Sequence, residues 1–193
     1  MPRINNKQFY LAAIKQHGHS AKGVHWISQE KQQIRFDKLL ELLPNDVSDV
    51  TIGDAGCGFG DLYTYMQREL KIPKEYLGID SLQEMCSVAK KRTACPTLLA
   101  DACRDTLPTK DYYLCSGALN ILTPFETQQF IANCYKASKS GFIFNALHGE
   151  KQSDIYNYIS TEKIQTIAKE LNVKEIIMKT EYIENDITIG FFK

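Results

Sequence analysis

Residues 51–66 read TIGDAGCGFGDLYTYM, a short apolar run followed by an acid, three glycines and a helical pattern. The glycines are Gly56, Gly58 and Gly60, so their spacing is G-x-G-x-G. A strand that leads through a glycine turn into a helix is typical of α/β proteins that bind a nucleotide cofactor. The stretch therefore predicts a strand–turn–helix unit with a cofactor at the turn.

Strand and helix patterns alternate through the rest of the chain. The predicted strands are 47–56, 75–80, 96–101, 111–119, 140–147, 173–183 and 186–193, and the predicted helices after residue 50 are 60–70, 81–93, 123–138 and 160–172. The last two strands are joined by a short Glu-Asn turn and read as a hairpin. This alternation predicts an α/β fold with a mainly parallel sheet and an antiparallel strand at one edge.

The acids around the glycine turn indicate what kind of cofactor it holds. In the dinucleotide fingerprint G-x-G-x-x-G the third glycine falls at position 61, which is Asp61 in this chain. Asp54 lies two residues before Gly56, and both carboxylates repel phosphate. No lysine lies between residues 51 and 67 to hold a phosphate. The turn therefore favours a positively charged cofactor, and S-adenosylmethionine, with its ammonium and sulfonium groups, fits.

Two further acids end the next two predicted strands. Asp80 ends EYLGID, and a carboxylate there can accept hydrogen bonds from both ribose hydroxyls of a nucleoside. Asp101 ends PTLLAD, where it could accept a hydrogen bond from an adenine amino group. An aspartate at a strand end is often just a cap of the following helix. Three acids at three successive strand ends, together with the glycine spacing, favour a nucleoside site over three separate caps.

These motifs resemble those of the class I S-adenosylmethionine-dependent methyltransferases: DAGCGFG at 54–60, GID at 78–80, ADA at 100–102 and the strand pattern DYYLCSGALN that follows. The resemblance covers roughly residues 45–193. It implies a three-layer αβα sandwich with a seven-stranded sheet of order 3-2-1-4-5-7-6, mainly parallel, in which the last strand is antiparallel.

The resemblance also implies roles for individual positions. It places Asp54 and the backbone of the glycine turn (Gly56, Gly58 and Gly60) at the methionine end, Asp80 with Ser81 and Leu82 at the ribose, Asp101 with Ala102 at the adenine, and Ser116 with Gly117 beside the transferable methyl group.

The N-terminal segment, residues 1–44, is similar to the helical lid that many small-molecule methyltransferases carry before the core, here residues 45–193. Helices are predicted over 5–16 and 29–43, with Pro44 ending the second. Arg35 could pair with the methionine carboxylate, or it could be a solvated helix arginine. Trp26, the single tryptophan, could face the cofactor or pack within the lid.

Bulk composition excludes several classes of protein. The 193 residues carry 23 basic and 23 acidic side chains, so there is no global attraction to nucleic acid, and we expect no DNA partner. No apolar run is long enough for a membrane span. The first 20 residues lack the pattern of a signal peptide, and the six cysteines include no C-x-x-C pair. We therefore expect a cytoplasmic protein with reduced thiols and no metal.

The sequence leaves the acceptor and the catalytic residue unknown. Asn120, Asn145 and His148 follow predicted strands and are candidates, although His148 also reads as a surface histidine. The N/D-P-P-Y/F motif of amino-methylating enzymes is absent, since its position reads Ser116-Gly117-Ala118-Leu119. We expect a small-molecule acceptor. An RNA or protein methyltransferase and a non-catalytic protein that retains the fold are the alternatives, and Asp54 and Asp61 disfavour a nucleotide-binding oxidoreductase.

Overall fold

The computed structural model describes residues 5–24 and 28–193, so Trp26 lies outside the described residues. The helices are α1 (Asn6–His17), α2 (Gln29–Leu40), α3 (Asp61–Arg68), α4 (Gln83–Thr93), α5 (Pro124–Ala137) and α6 (Thr161–Glu170). The strands are β1 (Thr51–Ala55), β2 (Glu75–Asp80), β3 (Thr97–Leu99), β4 (Lys110–Ser116), β5 (Ser138–His148), β6 (Tyr158–Ile159), β7 (Glu175–Lys179) and β8 (Asp186–Phe192). Two short 3₁₀ helices cover Ala21–Val24 and Ala118–Ile121.

The strands form one sheet of order β3-β2-β1-β4-β5-β8-β7. Strands β1 to β5 run parallel to one another, whereas β8 is antiparallel to both β5 and β7. This confirms the predicted order, with β7 and β8 as the sixth and seventh predicted strands. The two-residue strand β6 pairs in parallel with the end of β5 and was not predicted. It is too short to show a hydrophobic period.

Successive residues of the central strands enter different core clusters, as the alternation of side chains in a strand requires. Tyr113 and Cys115 of β4 belong to a cluster with buried residues of α5 and α6, whereas Leu114 belongs to a cluster with α2 and α3. Residues Phe142 and Ile143 of β5 divide in the same way. Helices therefore cover both faces of the sheet, which makes the three layers that the resemblance implies.

The N-terminal helices make different contacts. Phe36 and Leu39 of α2 are buried in the core cluster that includes Ile52 of β1, so this helix is part of one covering layer. In α1, Ile14 packs with Phe59 of the glycine turn and Met85 of α4. Helix α1 therefore lies at the end of the sheet where the glycine turn is. The division of the chain at residues 44 and 45 stays a prediction.

Two element boundaries test the local sequence signals. Thr123 and Glu126 form a capping box, with Pro124 as the first helical residue, so the start of the helix predicted over 123–138 is confirmed. The predicted tight turn between the last two strands is wrong, because residues 180–185 form a longer connection. In this connection the Tyr182 hydroxyl donates a hydrogen bond to Asp186, which opens β8.

Among the helices of the described residues, none combines the length and the apolar character that crossing a membrane requires.

Candidate functional site

The carboxyl ends of the parallel strands open into one cleft, which is where α/β sheets of this kind bind ligands. Its empty space is about 1190 Å³ including the open mouth. Every predicted cofactor-binding residue within the described chain lines this cleft except Gly60, which lies between the lining residues Phe59 and Asp61. The lining predicted residues are Arg35, Asp54, Gly56, Gly58, Asp80, Ser81, Leu82, Asp101, Ala102, Ser116 and Gly117.

The glycine turn requires glycine for two separate reasons. Gly56 has a φ of +79°, and a Cβ there would lie 2.4 Å from the Cβ of Ala118. Gly60 has the same φ and caps the N-terminus of α3 in a left-handed conformation, with Thr93 2.6 Å from an added Cβ. The backbone can therefore approach the end of β4 closely, which leaves the cleft floor free of side chains at Gly56.

Asp54 is buried at the end of β1 and accepts a hydrogen bond from the Tyr76 hydroxyl. Burial raises the pKa of Asp54 to about 7; the hydrogen bond from Tyr76 lowers the pKa, and the charges of Asp80 and Asp61 raise it. Among the described residues no arginine, lysine or histidine forms an ion pair with this carboxylate. A cation in the cleft would therefore stabilise the ionised form of Asp54.

Asp80 anchors the turn as well as facing the cleft. Its carboxylate accepts hydrogen bonds from the backbone N–H of Gly58 at 3.0 Å and of Leu82 at 2.9 Å. Burial raises the pKa of Asp80 to about 6, although these backbone donors lower it. The N–H of Gly56 is also occupied, since it donates to the carbonyl of Ile79 at 2.8 Å. The turn and the end of β2 therefore form one hydrogen-bonded unit.

Asp101 lies at the third strand end, half-exposed to solvent. It accepts a hydrogen bond from the N–H of Cys103 at 2.9 Å and lies 3.6 Å from the Arg104 guanidinium. The carbonyl of the neighbouring Ala102 accepts from Asn133 of α5 at 3.0 Å. Backbone and side-chain contacts on both sides therefore fix the position of this acid.

Asp61 opens α3, at the position where a dinucleotide-binding turn carries glycine. Its carboxylate pairs with Arg92 at 2.9 Å and accepts from the buried Gln32 at 3.4 Å. The first turn of α3 thus already carries a paired anion, which opposes a phosphate there. This geometry agrees with the prediction that the glycine turn does not bind a phosphate group.

Arg35 of α2 lines the cleft and pairs with Asp186 at the start of β8. The side chain of Asp186 is fully buried, and burial raises its pKa, although Arg35 and Tyr182 donate hydrogen bonds that lower it. Arg35 is therefore a paired residue of the cleft wall, and the sequence did not identify Asp186 as its partner. Contact of Arg35 with a methionine carboxylate stays a prediction.

The three candidate catalytic residues have different positions. Asn120 lines the cleft, and its side chain accepts from the N–H of Leu147 at 3.1 Å. Asn145 is buried behind the wall, where it accepts from Ser116 at 2.8 Å and donates to Thr188 at 2.7 Å. His148 lines a separate depression and contacts Thr161 at 3.1 Å. Of the three, the structure places only Asn120 at the cleft.

Sequence reasoning missed the six aromatic residues of the cleft, which are Phe9, Tyr10, Phe36, Phe59, Phe130 and Tyr156. Phe9 and Tyr10 of α1 line it, and so does Tyr156 in the connection between β5 and β6. The only signal was the pair of aromatic residues in the first predicted helix, which read as ordinary helix packing. Tyr156 belongs to no periodic element and carries no signal in the sequence.

The residues present fit S-adenosylmethionine chemically. The cleft offers two carboxylates with raised pKa values, Asp54 and Asp80, which a cationic ligand would stabilise in their ionised form. The floor of the cleft at Gly56 carries no side chain, because a Cβ there would collide with Ala118. Asp54 suits an ammonium group, and Asp80 suits a pair of ribose hydroxyls.

Comparison with known proteins agrees with this site. A family model described as a methyltransferase domain matches residues 52–141, from β1 into β5. No curated protein sequence matches the chain.

Several solved structures share the fold at low sequence identity. A Leishmania major S-adenosylmethionine-dependent methyltransferase superposes with a TM-score of 0.73 at 16% identity, over 96% of this chain and 82% of that one. The Synechocystis magnesium protoporphyrin IX methyltransferase with bound S-adenosylhomocysteine gives 0.69 at 13% identity, over 98% and 95%. Human N-acetylserotonin methyltransferase in complex with S-adenosylmethionine gives 0.72 at 14% identity, over 98% of this chain and 60% of the human one.

The fold is therefore that of the class I methyltransferases, and residues 52–141 form a methyltransferase domain. The chain is therefore similar to S-adenosylmethionine-dependent methyltransferases, which share this Rossmann-like fold.

Proposed function

We propose that the protein transfers a methyl group from S-adenosylmethionine to a small molecule, with the cofactor held at the ends of β1, β2 and β3. The observation that carries the site assignment is the row of acids at these three strand ends, Asp54, Asp80 and Asp101, facing one cleft. Magnesium protoporphyrin IX and N-acetylserotonin, for which two structural neighbours are named, are small acceptors too. An RNA or protein acceptor and a non-catalytic role are the alternatives.

Each part of the cleft has a distinct task in this proposal. Asp54 pairs with the ammonium group, Asp80 accepts from the ribose hydroxyls, and Asp101 accepts from the adenine amino group while Ala102 presents its backbone. Ser81 and Leu82 flank the ribose, and Ser116 borders the methyl group. Arg35 holds the methionine carboxylate while Asp186 fixes its guanidinium.

The bound cofactor supplies an electrophilic methyl carbon on a sulfonium. The protein then contributes mainly by holding the acceptor in line with that carbon, and ideal orientation is worth up to about 7–11 kcal/mol of the barrier. A general base is optional, because its need depends on the pKa of the acceptor. Asn120 is the candidate that can contact an acceptor, because it lines the cleft.

Calorimetric titration with S-adenosylhomocysteine, and with NAD as the comparison ligand, tests the site. We expect micromolar affinity for S-adenosylhomocysteine and none for NAD. Asp80→Ala should weaken binding by about 1.5–3 kcal/mol, the contribution of hydrogen bonds to a charged group. Asp49→Ala, at an exposed position outside the cleft, is the matched control. Unchanged affinity in the Asp80 variant would remove Asp80 from the site.

The remaining assignments are part of the same proposal. We place the protein in the cytoplasm, because all six cysteines are free thiols and five of them are buried. Residues 1–44 would act as the lid, with α1 over the cleft. DNA is not expected as a partner, since the net charge of the chain is zero.

A further inference from the structure

The wall of the cleft is acidic. Asp54, Asp61, Asp80 and Asp101 line it, and Arg35 is the one cationic side chain among the described residues that line it. Asp61, Asp101 and Arg35 are each paired with an opposite charge, Arg92, Arg104 and Asp186 respectively. Two carboxylates without an ion-pair partner among the described residues, Asp54 and Asp80, then remain, whereas S-adenosylmethionine carries a net charge of +1. The cleft therefore repels an anionic acceptor and attracts a cationic one.

Six aromatic residues line the same cleft; Phe36, Phe59 and Phe130 are buried in the core clusters, and Phe9, Tyr10 and Tyr156 are the less buried ones. Phe9 and Tyr10 are nearly perpendicular, with an interplanar angle of 83° and centroids 5.4 Å apart, so together they form a corner. Tyr156 lines the cleft from the connection between β5 and β6, and its side chain is 37% exposed. Burial raises the pKa of Tyr10, and the charges of Asp80, Cys115 and Tyr156 raise it further.

Tyr156 is held in place by its neighbours. The N–H of Asn157 donates to the carbonyl of Asn120 at 2.7 Å, and the Asn157 side chain donates to Thr127 at 2.9 Å. The N–H of Tyr156 itself donates to Ser153 at 3.1 Å. This segment is therefore fixed against the 3₁₀ helix after β4, where the methyl group would lie in the proposed function.

We propose that Phe9, Tyr10 and Tyr156 form the acceptor subsite and that the acceptor is an arylalkylamine. Its ring packs against the aromatic walls, and its amino group faces the acidic interior. Aromatic faces attract cations, and an excess of carboxylates selects the same charge. The inference rests on the proposed methyl transfer.

Methylation of such an acceptor balances simply. The ammonium form first loses one proton to water, and the lone pair of the free amine then forms the N–C bond. The C–S bond breaks with its electron pair returning to sulfur, so each transfer releases one proton and one neutral thioether.

Three probes with one phenyl ring and different ends test the charge preference: 2-phenylethylamine, 2-phenylethanol and phenylacetate. Each is titrated calorimetrically into the protein saturated with S-adenosylhomocysteine. We expect the amine to bind more tightly than the alcohol, and the carboxylate to bind most weakly. Equal affinities, tighter binding of phenylacetate, or no binding of the amine to the saturated protein would overturn the inference. Failure to bind S-adenosylhomocysteine would instead overturn the proposed function and this inference with it.

Variants test the aromatic walls. Tyr156→Ala should weaken amine binding by about 3- to 30-fold, whereas Tyr156→Phe, which keeps the ring, should stay near wild type. The affinity of each variant for S-adenosylhomocysteine should stay unchanged, because only a folding defect would lower it as well. Phe125→Ala is the matched control, since Phe125 is 72% exposed and outside the cleft. Amine affinity unchanged in Tyr156→Ala would remove Tyr156 from the acceptor subsite and overturn the assignment.

Discussion

Asp54 should make cofactor binding depend on pH. Burial raises its pKa to about 7, so the carboxyl is largely protonated at pH 6 and largely ionised at pH 8. An ammonium group pairs with the ionised form, so affinity increases with pH across this range. We expect S-adenosylhomocysteine to bind about tenfold more tightly at pH 8 than at pH 6, since one pKa unit corresponds to a factor of ten. Calorimetric titration at both values measures the ratio.

Methylthioadenosine provides the control for this effect, because it lacks the ammonium group. Its affinity should change little between pH 7 and pH 8, where Asp80, with a pKa of about 6, is already ionised. Asp54→Asn should flatten the profile for S-adenosylhomocysteine. An affinity for S-adenosylhomocysteine that is the same at pH 6 and pH 8 would contradict the assigned role of Asp54.

At the residue scale, the sequence predicted those parts of the site that lie at regular positions of the fold. Asp54 and Asp80 lie at the ends of β1 and β2, Asp101 follows the end of β3 by two residues, and the sheet itself brings such positions together. Tyr10 and Tyr156 could not be predicted, because their approach depends on how α1 and the connection before β6 fold over the cleft. Asp186 was missed for a related reason: its partner Arg35 is 151 positions away.

Helix α5 illustrates an element whose start is encoded locally. The Thr123 hydroxyl accepts from the N–H of Glu126, and the Glu126 carboxylate accepts from the N–H of Thr123. Thr123→Ala should lower the free energy of unfolding by about 1 kcal/mol, the usual value of an N-cap, whereas Thr123→Ser should cost little. Urea denaturation measures both. An equal loss in the two variants would mean that the hydroxyl is not the stabilising group.

The elements that the sequence predicted well have a period, a cap or a breaker of their own. Helix α1 was expected over 5–16 and lies over Asn6–His17, and α5 begins at the expected residue. Helix α2 ends at Leu40, before the predicted end at residue 43. The carbonyl groups of Leu39 and Leu40 accept hydrogen bonds from the N–H groups three residues later, as in a 3₁₀ turn. Strand β6 exists because it pairs with β5, and a two-residue pairing leaves no local pattern.

For the molecule as a whole, the pair between Arg35 and Asp186 ties the N-terminal region to β8. The Asp186 side chain is fully buried and that of Arg35 is 11% exposed, so each charge depends on the other. Asp186→Asn should lower the free energy of unfolding by about 3–5 kcal/mol, because it breaks a buried ion pair by removing the charge of one partner. Chemical denaturation measures the loss.

The double variant Arg35→Met/Asp186→Leu is the control for this prediction. It removes both charges, so stability should return toward the wild-type value. A double variant as unstable as Asp186→Asn would mean that packing around β8, rather than the broken ion pair, causes the loss.

The position of β8 has a consequence for how the chain is made. This strand lies between β5 and β7, yet all residues up to Asn185 are synthesised before it. Until then β5 presents an open edge on the growing chain where β8 will pair, and open edges recruit other strands. Chaperones that shield such edges on ribosome-bound chains would therefore act on this protein in the interval between the synthesis of β5 and that of β8.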